Sequence, residues 1–116
     1  MNPFPKEYEL IEFFGALPQL ADAGLPWFYN CVTFVYERGA DVVHVEVEPA
    51  CRVLRVYWTQ GGVERLRLVF NRVAGLCLDR DEGQDVLVAS FVRHDLYDMR
   101  LRLAPTVHLQ WGDRAW

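Results

Sequence analysis

The chain has 116 residues, of which 52% are hydrophobic and 14% aromatic, and its formal net charge is −4. This length fits a single domain over residues 1–116, and the apolar fraction is too high for a disordered chain. A negative charge with no basic segment to offset it argues against a nucleic-acid-binding protein. No apolar run approaches a membrane span, and the first residues lack the charged-then-apolar pattern of a signal peptide. We therefore expect a cytoplasmic protein that binds neither nucleic acid nor membrane.

The first predicted element is a helix that starts near Lys6 and ends near Ala16. Pro5 suits the first turn of such a helix, and acidic residues near its start suit the helix dipole. Apolar residues recur at helical spacing and predict a stripe that packs on the rest of the protein. The stripe consists of Leu10, Phe13, Phe14 and Leu17.

Strict alternation of apolar and polar residues over 42–70 predicts three antiparallel strands at the centre of the fold, at 42–48, 52–59 and 63–70. The predicted buried face consists of Val43, Val45, Val47, Leu54, Val56, Trp58, Leu66, Leu68 and Phe70. On the outer face, glutamates on the first strand would face arginines on the next two, which favours this pairing modestly. These charged residues are Glu46, Glu48, Arg55, Arg65 and Arg67.

The turn between the last two of these strands contains Gly61 and Gly62. A two-residue loop would place Trp58 opposite Arg65 on one face, which mixes an apolar and a charged residue. We therefore predict a loop of three or five residues with a glycine in the left-handed conformation, so that the apolar faces match.

Further strands are predicted at 27–37, 76–78, 86–93, 99–103 and 106–111, separated by turn-forming residues. Short connections imply hairpins and an antiparallel sheet. The predicted fold class is α+β and mainly antiparallel β. The N-terminal helix would pack on a twisted sheet of about six or seven strands, or on a partly open barrel or sandwich.

The acidic loop at 79–85 resembles a calcium loop only in part, since Asp79, Asp81 and Asp85 match its first, third and seventh positions. Gln84 and Ser90 stand where such a loop needs glycine and a bidentate glutamate. Cys31, Cys51 and Cys77 form no CxxC pair, and the apolar stretches around them predict small buried side chains in a reducing compartment. We predict no metal site, no cofactor and no catalytic residue.

Two alternatives to a protein-binding role stay open on the sequence. His94 and Asp95, with a pocket under the helix, would suit a small enzyme or ligand-binding β-domain, and His108 is another candidate lining residue. A structural homodimer that pairs through an edge strand or an aromatic patch is the other alternative.

A series of short motifs, in a fixed order, extends over most of the chain. The segment Phe14-Gly15-Ala16-Leu17-Pro18 with Asp22-Ala23 shortly after it leads into the β-region, which ends in Val69-Phe70-Asn71-Arg72-Val73-Ala74-Gly75-Leu76. In this order the chain resembles the small immunity proteins of bacterial polymorphic-toxin systems, in particular the immunity protein 50 type. That type has an F-G-x-x-P segment and an aspartate–alanine pair before its strands, and an F-x-x-V segment before a short strand.

The resemblance implies a non-enzymatic protein that binds a cognate toxin in the cytosol and blocks its active site. An acidic inhibitor would suit a basic toxin such as a nuclease, because complementary charge speeds association and selects the partner. On this basis the candidate partner-binding residues are the carboxylates Asp79, Asp81, Glu82, Asp85, Asp95 and Asp98.

Overall fold

The computed structural model describes residues 1–93 and 95–112, which form one α-helix, nine strands and two short 3-10 helices. The helix α1 spans Glu7–Phe14. The strands are β1 (Gln19–Leu20), β2 (Val32–Arg38), β3 (Asp41–Glu48), β4 (Val53–Gln60), β5 (Val63–Phe70), β6 (Val73–Asp81), β7 (Gln84–Phe91), β8 (Met99–Arg102) and β9 (His108–Gln110). The 3-10 helices are Trp27–Tyr29 and Pro49–Cys51.

The strands form two antiparallel sheets, each in simple sequence order. The first sheet has five strands, β1 to β5, and the second has four, β6 to β9. The chain crosses from the first sheet to the second at Asn71 and Arg72, between β5 and β6. The predicted fold class is confirmed, in its sandwich form. The strand count exceeds six or seven partly because β1 has two residues, too few to show an alternation.

The two sheets face each other across a shared apolar core. In the first sheet Val45 lies opposite Val56, and Val56 lies opposite Leu68, so the inner-face residues form continuous rows. The second sheet contributes Leu87 and Leu101, which are also buried. The apolar face predicted for residues 42–70 is therefore confirmed, since each strand turns one face to the core.

The helix α1 ends earlier than the sequence pattern suggests, because Gly15 adopts the left-handed conformation at φ 65°. Its N–H donates a 2.8 Å hydrogen bond to the Ile11 carbonyl, which completes the last turn. From α1, Leu10 and Phe14 are buried. The Phe14 ring stacks on Phe34 of β2 at a centroid distance of 4.5 Å, which fixes the helix to the first sheet.

The loop between β4 and β5 is shorter than predicted. Gly61 and Gly62 alone connect the strands, with φ angles of 58° and 79°. The expected left-handed glycine is present, but the prediction of three or five loop residues was wrong. A β-bulge at Arg65 restores the parity, because Thr59 lies opposite Glu64 while Trp58 lies opposite Leu66. The extra residue in the strand shifts the alternation by one position, as an extra loop residue would have, so the apolar faces still match.

The predicted strand 27–37 begins only at Val32, and Trp27–Tyr29 form a 3-10 helix. Asn30 follows this 3-10 helix, and its buried side chain satisfies backbone groups of the preceding loop. Its Oδ1 accepts a hydrogen bond from the Asp22 N–H at 3.1 Å, and its Nδ2 donates one to the Leu25 carbonyl at 3.1 Å. Within the segment, the Tyr29 N–H donates to the Pro26 carbonyl at 3.1 Å and the Asn30 N–H donates to the Trp27 carbonyl at 3.0 Å, so these groups are satisfied locally and not by a neighbouring strand.

Residues 2–3 extend the second sheet by pairing along the free side of β6. The Asn2 N–H donates to the Ala74 carbonyl, and the Leu76 N–H donates to the Pro3 carbonyl, both at 2.9 Å. Gly75 lies between them, and a Cβ there would stand 2.6 Å from Pro3 Cδ. This close backbone approach requires glycine.

Gly75→Ala should therefore lower the free energy of unfolding by about 1–3 kcal/mol, as other overpacked sites do. Chemical denaturation measures this loss. The matched background is a variant that lacks residues 1–3, because it removes the atoms that the new Cβ would meet. We expect the substitution to cost much less in that background, and an equal cost in both would contradict the steric explanation.

Candidate partner-binding surface

The β6–β7 hairpin brings together the candidate carboxylates Asp79, Asp81, Glu82 and Asp85. Its turn consists of Glu82 and Gly83, both at positive φ, and it pairs Asp81 with Gln84. Such a two-residue turn matches the right-handed twist of its strands, so the ladder continues to the tip. The hairpin thus presents its carboxylates on ordered backbone.

Strand alternation divides these carboxylates between the two faces of the second sheet. Asp79 lies on the outer face, where Arg100 Nη2 donates a 3.2 Å hydrogen bond to its Oδ2. The same nitrogen lies 3.7 Å from Asp81 Oδ2. Because β7 separates β6 from β8, the Arg100 side chain must cross over β7 to make these contacts. Val86 and Val88 of β7 lie on this face and are buried, which fits coverage by an arginine stem.

The pKa of Asp79 is held below its ordinary value. The main cause is a hydrogen bond from the Arg80 backbone N–H to Asp79 Oδ1 at 2.8 Å, and the Arg100 guanidinium adds to it. Both donors favour the ionised carboxylate. Asp79 is therefore a fixed negative charge at neutral pH.

A groove of about 290 Å³ separates the hairpin from α1 and is markedly acidic. Its lining consists of Tyr8, Glu9, Glu12, Phe13, Leu78, Arg80 and Asp85. Arg80 Nη1 lies 3.8 Å from Asp85 Oδ1, so the positive charge in the groove is shared with a neighbouring carboxylate. Glu9 and Glu12 were not predicted as site residues from the sequence. Their spacing indicates that they share one helix face, but it does not indicate which part of the protein that face lies beside.

Asp95 and Asp98 do not join the hairpin tip. They precede β8, which begins opposite the far end of β7 from the turn. Asp95 forms an ion pair with Arg93, with Arg93 Nε donating to Asp95 Oδ1 at 3.0 Å. Asp98 is exposed and lies near Cys77 on the outer face.

The pKa of Cys77 on β6 is affected by the carboxylates around it. Its pKa is raised, first by partial burial of the thiol and then by the charges of Asp79 and Asp98, while Arg100 opposes them. Negative charges near a thiol disfavour the thiolate. Asp79 and Asp98 therefore both lie close enough to Cys77 to affect its thiol, which places them on the same outer face of the second sheet.

Replacing Asp79 and Asp98 with asparagine should speed the alkylation of Cys77 severalfold at about pH 8, because a lower pKa gives more of the reactive thiolate. Mass spectrometry after timed iodoacetamide treatment measures the rate. Cys51, like Cys77, is an exposed residue, contrary to the burial predicted for the cysteines, and it serves as the internal reference. An unchanged ratio of the Cys77 and Cys51 rates would show that these carboxylates do not act on Cys77.

The structure describes one of the two histidines considered for chemistry, His108. His108 is exposed on β9, and His94 lies outside the described residues, so the suggested pair with Asp95 falls there too. Within residues 1–93 and 95–112, no three His, Cys, Asp or Glu side chains are grouped so that they could hold a metal ion. In the same ranges, no helix combines the length and apolar character needed to span a membrane.

A second cavity, of about 160 Å³, lies between the two sheets and is apolar. Its lining consists of Val43, Val56, Trp58, Leu66, Leu101, Val107 and Leu109. The polar atom of Trp58 is directed elsewhere, since its Nε1 donates a 3.0 Å hydrogen bond to Asp41 Oδ1. None of these lining residues is ionisable, so they offer no acid or base to a bound molecule.

No protein-family model matches the chain, and no curated protein sequence matches it. Among solved structures, a chain of the contact-dependent growth inhibition toxin–immunity protein complex from Klebsiella pneumoniae 342 is similar in fold. The TM-score is 0.82 and the sequence identity 15%, and the match covers 94% of each chain. This likeness in fold agrees with the resemblance to immunity proteins found in the sequence.

Proposed function

We propose that this chain is an immunity-type protein, which binds a cognate bacterial toxin and neutralises it by protein–protein contact without catalysing a reaction. The observation that carries the proposal is the likeness in fold, over 94% of both chains, to a chain of a toxin–immunity protein complex. The sequence resemblance to immunity proteins favours the immunity member of such a pair over the toxin.

The contact surface in this proposal is the acidic face, defined as Glu9, Glu12, Asp79, Asp81, Glu82 and Asp85. It wraps around the β6–β7 hairpin: Glu9, Glu12 and Asp85 line the groove on the α1 side, whereas Asp79 and Asp81 lie on the outer side of the sheet. The tight turn and the Arg100 contacts hold several of these carboxylates in place before a partner arrives. Preorganisation of this kind reduces the entropy lost on binding.

The partner that suits this face is a basic toxin domain such as a nuclease. A nuclease binds phosphates with arginine and lysine, and fixed carboxylates can occupy the same positive groove and exclude the nucleic acid. The net charge of −4 supports long-range attraction of such a partner. Association should therefore slow as salt concentration rises, because screening weakens the attraction between the two surfaces.

The direct test first looks for a toxin gene beside the gene for this chain and then uses the toxin domain that it encodes. Expression of that domain should arrest bacterial growth, and co-expression of this chain should restore it. Titration calorimetry with a catalytically inactive toxin measures binding without toxicity. Absence of both protection and binding would overturn the proposed function. Protection and binding that persist after loss of the hairpin carboxylates would retain the function and move the contact to another surface.

A further inference from the structure

Strand β5 is an open edge of the first sheet. It pairs with β4 on one side, and its other side forms no strand pairing with a described residue. Alternate N–H and C=O groups of an edge strand point away from its neighbour and are available to another strand. The bulge at Arg65 interrupts the first part of β5, so the regular edge runs from Leu66 to Phe70.

The apolar cavity between the sheets opens beside this edge. Leu66 of β5 and Val107 and Leu109, next to and within β9, are only half-buried, whereas the deeper wall residues Val43 and Leu101 are buried. Since β5 and β9 are the edges of their sheets, the mouth of the cavity lies between them. At about 160 Å³, the cavity is close to the roughly 150 Å³ that accommodates benzene in an engineered protein core. One aromatic side chain would fill it.

The outer face of the same edge is basic and partly apolar. Arg67 pairs with Glu64 and lies over the Tyr57 ring at 4.6 Å, while Arg65 is exposed and makes no ion pair with a described residue. Val69 is 53% exposed on this face. A strand added here would place its outward side chains beside these arginines, and acidic residues would suit those positions.

A second copy of this chain fits the edge poorly. In a symmetric antiparallel pairing over the whole regular edge 66–70, Arg67 lies opposite Val69, and registers shifted toward Arg65 place Arg67 opposite itself or opposite Arg65. Like charges directly opposite each other destabilise a strand pair. None of these registers brings a carboxylate to Arg65 or Arg67, whereas a strand of different sequence with acidic residues can do so, and we take such a strand as the occupant.

We infer that the β5 edge binds an extended segment of a partner protein as an added strand, with acidic side chains beside Arg65 and Arg67 and an aromatic side chain in the cavity between β5 and β9. This mode combines backbone hydrogen bonds for affinity with a side-chain pocket for specificity. The edge is separate from the acidic face, and the inference does not depend on a toxin partner.

The probe is a synthetic peptide, acetylated and amidated, of sequence Thr-Glu-Phe-Glu-Val-Thr, titrated into the full chain labelled with nitrogen-15. We expect amide shifts at residues 66–70 and at Leu109. A peptide with lysines in place of both glutamates should bind about tenfold or more weakly. Equal binding of the two peptides, or shifts that leave β5 unchanged, would overturn the inference.

Two variants separate the parts of the site. Arg65→Glu should weaken the acidic peptide and strengthen the lysine peptide, while Arg38→Glu, an exposed charge reversal away from the edge, should change neither. Leu66→Phe should fill the cavity and weaken the binding of the peptide with phenylalanine more than the binding of one with alanine in its place.

Binding of benzene without binding of either peptide would overturn the inference and leave only a small apolar cavity. Dimerisation through β5 in sedimentation would assign the edge to a second copy instead.

Discussion

Replacing Phe34 with alanine should lower the free energy of unfolding by about 3–5 kcal/mol, the range typical of a buried phenylalanine. Phe34 is fully buried on β2. Its ring stacks on Phe14 at 4.5 Å and meets Trp27 edge-on at 5.9 Å. Truncation would thus loosen α1 and the 3-10 helix from the first sheet together. Urea denaturation followed by circular dichroism measures the change.

Tyr29→Ala is the matched control, because it removes an aromatic ring from the same region at a side chain that is 67% exposed. We expect this control to change stability by about 0.5 kcal/mol or less, as exposed positions usually do. Equal losses for the two variants would mean that Phe34 is not the anchor between α1 and the sheet.

Simultaneous alanine substitution of Asp79, Asp81, Glu82 and Asp85 should weaken toxin binding by about 100-fold or more while leaving the fold intact. All four side chains are exposed, so their loss removes no core packing. The loss should fall largely on the association rate, because these charges attract the partner at long range. Stopped-flow mixing or surface-based kinetics with the inactive toxin domain measures both rates.

The matched control removes the same number of negative charges from the first sheet, at Glu37, Glu46, Glu48 and Glu64. If position matters, this control should keep nearly full affinity although its net charge is the same as that of the hairpin variant. Equal weakening of both variants would show that net charge alone governs association, and the acidic face would lose its assignment. Unchanged circular dichroism in both variants excludes unfolding as the cause.

Much of the fold could be predicted from the sequence because one face of the first sheet is exposed to solvent and the other is buried. Residues such as Val45 and Val56 alternate with polar neighbours, and this alternation determines which side faces the core. The ion pairs of Arg55 with Glu46 and Glu48, at 3.4 Å and 2.8 Å, follow from the same alternation. The pattern was weakest where backbone groups are satisfied by a side chain, as at Asn30, or where a bulge adds a residue, as at Arg65.

The candidate surface was only partly predictable, because its charges meet through tertiary packing. The carboxylates of the β6–β7 hairpin are close in sequence, and the sequence therefore showed them as one group. Arg100 is 21 residues from Asp79, and nothing in the spacing indicates that its side chain crosses β7 to reach it. The placement of Glu9 and Glu12 beside Asp85 likewise depends on where α1 docks, which periodicity alone does not specify.

A break at Asn71 and Arg72 would leave all the numbered strands of each sheet on one fragment, because β1 to β5 precede this point and β6 to β9 follow it. Reassembly would then rely mainly on the apolar faces closing over each other, with a few backbone bonds such as those of residues 2–3 to β6. The two halves are therefore natural candidates for a split reporter, in which recovery of signal measures face-to-face burial rather than completion of a hydrogen-bonded ladder.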